Sequence, residues 1–155
     1  MNLEKAITIA ANGNVHAKEY LELIAGIARR IDDIHDEDHG KVDAGLLAYL
    51  CLVALPSNPF FCVHAARLIP LHDLVINAWQ DSNQLDPALD QWSLVYCDLV
   101  NEIACSVAGI TGGYTYRRKV SLELRQLLYE REITEAAPGE SNGPLVTRHS
   151  SLVPN

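Results

Sequence analysis

The sequence predicts an all-α domain, a compact bundle of six or seven helices with a mobile C-terminal tail. Three observations predict it. Apolar residues recur at three- and four-residue steps in two long stretches, Tyr20, Ile24, Ile27, Ile31, Ile34 and Trp92, Tyr96, Leu99, Ile103, Val107, Ile110. Strand signals are poor, with no long alternation and no Asn-Gly turn between β-branched runs. Short connections with capping residues join the periodic stretches.

A first helix spans about Leu3 to Ala11 and stops at Asn12-Gly13, residues that tolerate left-handed backbone. The second runs from about Val15 into an acidic cluster, and Gly40 closes it. The third, about Asp43 to Leu55, takes Asp43 as N-cap; it is apolar nearly all round, which predicts the central helix of the bundle. Pro56-Ser57-Asn58-Pro59 forms a loop. A short helix over about Phe60 to Leu68 follows, Pro70 breaks or kinks it, and another runs from Leu71 to Gln80. Asp86-Pro87 opens the sixth, with Asp as N-cap and Pro at the first helical position, and Gly112-Gly113 ends it. A last helix covers about Ser121 to Glu132 and carries Leu122, Leu124, Leu127 and Leu128. Residues 1–133 form one domain, and 134–155, rich in Ala, Pro, Gly, Ser and Asn, form a flexible tail.

A chain of 155 residues with 48% hydrophobic and 21% charged content can bury a core without staples. The net charge of -8 argues against nucleic acid, whose phosphates need Lys and Arg, and against an anionic membrane. Cys51, Cys62, Cys97 and Cys105 form no C-x-x-C and read as reduced, buried thiols, which together with the lack of a signal-like start predicts the cytoplasm. The longest apolar run, Leu46 to Leu55, is about half of what a bilayer needs.

The segment Ile31 to His39 holds five carboxylates and two imidazoles in nine residues. Such a cluster is solvated, paired with cations or bound to metal. At 100° per residue, Ala28, Asp32, His35 and His39 fall in one line beside the isoleucine stripe, Asp36 lies one step round, and Asp33 points away. Carboxylates one turn apart suit Mg²⁺, or Mn²⁺, through oxygen ligands; histidines at i and i+4 suit Zn²⁺. Acidic residues at a helix C-terminus oppose the helix dipole, a conflict with the local rule that points to function. Facing helices offer Asp73 and Asn77, with Asp81 one turn on, and Asp98 and Glu102. Arg29, Arg117, Arg118 and Lys119 are candidates to hold a small phosphorylated ligand on such a metal.

Asp32-Asp33-Ile34-His35-Asp36-Glu37, preceded by Arg29-Arg30, resembles the D-D-x-x-D motif of class I isoprenoid synthases, in the form found in the squalene and phytoene synthase branch. The resemblance implies that Asp32, Asp33 and Asp36 bind Mg²⁺ gripping a diphosphate, with either other acidic helix as the second ligand set. His72-Asp73 resembles the central pair of HD-type phosphohydrolases, which implies His35 or His39 upstream and Asp98 downstream as further ligands. All-α nucleotide pyrophosphohydrolases use an E-x-x-E pair on one helix and E-x-x-D on another, and Glu19 and Glu22 resemble the first half of that pattern.

Two functions therefore stand open. One is a divalent-metal domain acting on a phosphate or diphosphate. The other is a non-enzymatic helical adaptor or accessory protein, of the kind a virus or mobile element carries, that binds a protein partner or itself. The first predicts that the acidic pairs converge on a cavity. The second predicts that they diverge and that an apolar patch is exposed elsewhere.

Overall fold

The computed structural model describes residues 2–35, 43–84 and 90–136, the last span with side chains from 99 to 128. Every regular element among them is helical: α1 (Asn2–Ala11), α2 (Val15–His35), α3 (Ala44–Tyr49), a π-helical turn (Leu50–Ala54), α4 (Leu55–Ser57), α5 (Pro59–Ser82) and α6 (Asp90–Ala136). Because α3, the π turn and α4 run on as one rod, Ala44–Ser57, the described residues hold five helical elements where six or seven were expected, the last of them broken at Gly113.

Local signals act where expected. Asn12 and Gly13 take positive φ (47° and 79°) to end α1. The Asn14 side chain accepts from Ala17 N (2.9 Å) and starts α2. Asp43 accepts from Leu46 N (2.9 Å) to cap α3. Asn58 accepts from Phe61 N (2.9 Å), and its amide donates to the His16 carbonyl (3.1 Å), which ties the start of α5 to the start of α2.

Two breaks differ from expectation. Pro70 does not end a helix; α5 passes through it. Phe60 and Leu68 before it and Val75 and Ala78 after it are all buried, so packing on both sides holds one axis. The carbonyl that Pro70 leaves without a donor, that of Ala66, lies on an exposed face within reach of water. Gly112-Gly113 does reverse the chain, at Gly113 (φ 77°, ψ -178°), but within a turn so tight that helix resumes at once.

α6 is thus a helical hairpin, with arms 90–112 and 114–136. Ile103, Ala104, Val107 and Ala108 of the first arm and Val120, Leu124 and Leu127 of the second are buried. The small residues Ala6, Ala10 and Ala11 let α1 lie close against it. The bend clasps the end of α1: Tyr116 Oη donates to the Ile9 carbonyl (2.7 Å), which also accepts from Asn12 N (3.1 Å), and Thr111 Oγ1 shares its proton between the Ala10 carbonyl (3.1 Å) and the Val107 carbonyl of its own helix (3.0 Å).

The Ala44–Ser57 rod is not central. No residue of α3, the π turn or α4 is buried. Apolar character all round has instead put Leu46, Tyr49, Leu52 and Val53 at the surface. The thiols are not uniformly buried as expected: Cys105 is buried, Cys51 half-buried and Cys62 exposed. Cys97 lies outside the described side chains. The 24 residues of α5 are long and apolar enough to cross a membrane by length and composition, although its inner face is packed in the core. The expected tail falls mostly on residues 137–155, outside the described residues.

Candidate functional site

The acidic end of α2 faces the end of α5, and the residue that meets it is aromatic. Trp79 Nε1 donates to Asp32 Oδ1 (2.9 Å), and the His35 ring sits edge-on to Trp79 with centroids 5.4 Å apart. Asp32 and His35 therefore share a face, as the helical phase requires. Asp33 turns to its own helix and pairs with Arg29 (3.4 Å). Asp36 and His39 lie outside the described residues, as does the side chain of Asp98.

Of the expected partners from other helices, those with described side chains do not come to this place. α5 presents His72, Val75 and Trp79 inward, which leaves Asp73, Asn77 and Asp81 exposed on its outer side. Glu102 is engaged elsewhere: each carboxylate oxygen takes a guanidinium, Oε1 from Arg117 and Oε2 from Arg125 (2.6 Å), with Ser106 Oγ 3.5 Å from Oε1. A carboxylate clamped between two guanidiniums has its lone pairs and its charge already committed. Among the described residues, no three His, Cys, Asp or Glu side chains are grouped as a metal site would require.

His72 and Asp73 likewise separate. His72 turns into an aromatic stack with Phe61 (5.8 Å) and Tyr20 (6.0 Å), and its Nε2 lies 2.6 Å from Tyr20 Oη. Burial lowers the His72 pKa from its usual 6.5 and raises that of Tyr20 above its usual 10, so both groups are neutral at pH 7. The hydroxyl then donates to Nε2, and the imidazole proton sits on Nδ1. This is a satisfied core pair, which the periodicity of Tyr20 signalled and the His-Asp dipeptide obscured.

Of the basic candidates, Arg117 and Arg118 line one pocket of about 350 Å³ together with Arg125, Tyr114, Ser121 and Glu102. Lys119 does not line it, and Arg29 is on α2. Arg125 was missed in the sequence; its four-residue step from Ser121 and eight from Arg117 was the available signal. A second, open groove of about 520 Å³ runs between α2 and the Ala44–Ser57 rod, with Glu22 and Arg30 on one side and Leu46 and Leu50 on the other.

The largest irregularity is apolar. Among the described residues, eight of the twelve large hydrophobic side chains that are exposed lie between Leu46 and Ile76, and Val63 and Leu52 are 76% and 75% exposed. On α5 the exposed set is Val63, Ile69, Leu74 and Ile76, interrupted by Arg67 and Asp73.

No family model, no curated protein and no solved structure matches this chain.

Proposed function

We propose that this protein is a non-catalytic helical interaction domain that pairs with a second copy of itself through the outer face of α5. The observation that carries the reading is a 24-residue helix that is largely apolar on its solvent side as well as its core side, beside a rod with no buried residue. Surfaces of this kind mark interaction sites.

Charge favours a second copy as the occupant. Among the described residues, exposed Arg67 and Asp73 have no ion-pair partner, and they stand three residues on either side of Pro70. Two α5 helices crossing antiparallel at Pro70 set Arg67 of each level with Asp73 of the other, and Ala66 level with Leu74. A two-fold pairing of one patch with itself is the commonest form of assembly. The acidic chain is a poor match for an anionic membrane surface. The same reading has the protein act in the cytoplasm, where thiols such as Cys51 and Cys62 stay reduced.

Charge reversal tests the register. By light scattering over a dilution series, Arg67→Asp should weaken the dimer about three- to tenfold, and Arg67→Asp/Asp73→Arg should restore it. Equal weakening by the single and double variants contradicts the antiparallel pairing. A monomeric protein that floats with neutral phosphatidylcholine vesicles transfers the face to a membrane.

A divalent-cation reading of the α2 end is supported by one feature, that Asp32 and His35 meet at Trp79. Titration of Mg²⁺, Mn²⁺ and Zn²⁺ into the wild type and Asp32→Ala/Asp36→Ala tests it. Saturable binding lost in the variant supports a site, and no heat from either protein removes it.

A further inference from the structure

We infer that the pocket inside the α6 hairpin binds a small dianion of the phosphate-monoester class, independently of the pairing face on α5. Tyr114, Arg118, Ser121 and Arg125 lie on one stripe of the second arm, at steps of four, three and four residues, and Arg117 stands beside them. Three guanidiniums thus meet one carboxylate in a concavity of about 350 Å³, in a chain whose net charge is -8. The local sign is opposite to that of the whole molecule. Such a pocket repels a metal ion and attracts an anion.

Glu102 does not cancel the site; it builds it. The carboxylate bonds one terminal nitrogen of Arg117 and one of Arg125. A guanidinium carries five N–H donors, more than one carboxylate can take. Fixing the two heads removes ordering entropy that a ligand would otherwise have to overcome. Arg118 is exposed and, among the described residues, has no ion-pair partner, so it adds a positive charge with nothing to offset it. The Tyr114 ring, 79% exposed, stands at the mouth, where it can lie against the organic part of an ester. The size of the pocket suits a small molecule rather than a polymer. A phosphate monoester is mostly dianionic above pH 6 and matches forked guanidinium donors.

The test is calorimetric titration of inorganic phosphate and phenyl phosphate into the full chain at low ionic strength and pH 7.5, with circular dichroism to check that each variant is folded. One saturable site is expected, weakened at least tenfold in Arg118→Ala, the loss of one hydrogen bond to a charged group. Arg125→Lys keeps the charge but loses the fork and should also bind more weakly. The affinity for phenyl phosphate should fall as pH drops below about 6 while competing sulfate keeps its own, because only the ester gains a proton there. Added salt should weaken both anions. Absence of saturable binding by the wild type overturns the inference, as does an Arg118→Ala affinity equal to that of the wild type.

Discussion

Adjacent glycines at the α6 bend should fail for different physical reasons, and separating those reasons tests the hairpin. Gly113 has φ 77° and ψ -178°, a region essentially closed to residues with a Cβ, yet a Cβ there would meet nothing within 4 Å. Gly113→Ala therefore costs backbone strain alone, about 1–3 kcal/mol. Gly112 has ordinary backbone, but a Cβ there falls well inside van der Waals contact with the Tyr116 side chain, 2.7 Å from its Cβ. Tyr116 cannot step aside cheaply, because its hydroxyl holds the Ile9 carbonyl at 2.7 Å. Overpacking of about 1–3 kcal/mol plus loss of that hydrogen bond, about 1 kcal/mol, gives about 2–4 kcal/mol for Gly112→Ala. In a Tyr116→Gly background, which removes the Cβ at 2.7 Å as well as the ring, the steric cost disappears, and Gly112→Ala becomes neutral or mildly stabilising through its helix propensity. Gly113→Ala keeps its full cost there. Urea denaturation of the two single variants, Tyr116→Gly and the two doubles gives both coupling energies. The expected result is about 2 kcal/mol or more between 112 and 116 and nearly zero between 113 and 116. Equal cost of Gly112→Ala with and without the Tyr116 ring refutes the reasoning.

Three further outcomes follow from the interior. Glu102→Gln should destabilise the hairpin by about 1–2 kcal/mol, a value discounted because Arg117 is 41% exposed, and the loss should shrink in 0.5 M salt; thermal unfolding at two salt concentrations checks it, with about 2–4 °C expected per kcal/mol. Tyr20 keeps its proton above pH 10 while the unfolded chain gives it up, so wild-type stability should fall as pH rises past 10; Tyr20→Phe should reduce that fall, leaving the smaller part due to Tyr116, at a cost of about 1–2 kcal/mol at pH 7 for the hydrogen bond to His72. His72 resists protonation while the unfolded chain accepts a proton below 6.5, so stability should drop as pH falls through that value, and His72→Phe should flatten this limb in pH-dependent urea denaturation.

The helical class was legible because the periodic stretches and caps are local: Asn12-Gly13, Asp43, Asn58 and Gly113 each act as their chemistry dictates. Which face meets which neighbour is not local. Apolar residues on every side of Ala44–Ser57 suggested a central helix, yet the same pattern suits a surface that meets another molecule, and the sequence cannot distinguish the two. Pro70 was read by its local rule, which packing on both sides of it outweighs. At the candidate site, helical phase brought Asp32 and His35 together correctly. It could not show that Trp79 rather than an acid stands opposite, or that Glu102 answers Arg117 and Arg125 across a hairpin. Spacing within a helix selects a stripe, and only tertiary packing decides what that stripe faces.

Sedimentation equilibrium of the wild type beside Val63→Asp/Ile69→Asp decides whether the outer face of α5 pairs. Both side chains are exposed, so the substitutions leave the core intact. A concentration-dependent dimer is expected for the wild type and a folded monomer of 17.1 kDa for the variant. A wild type that stays monomeric up to high micromolar concentration, or a variant that dimerises as tightly as the wild type, contradicts the pairing.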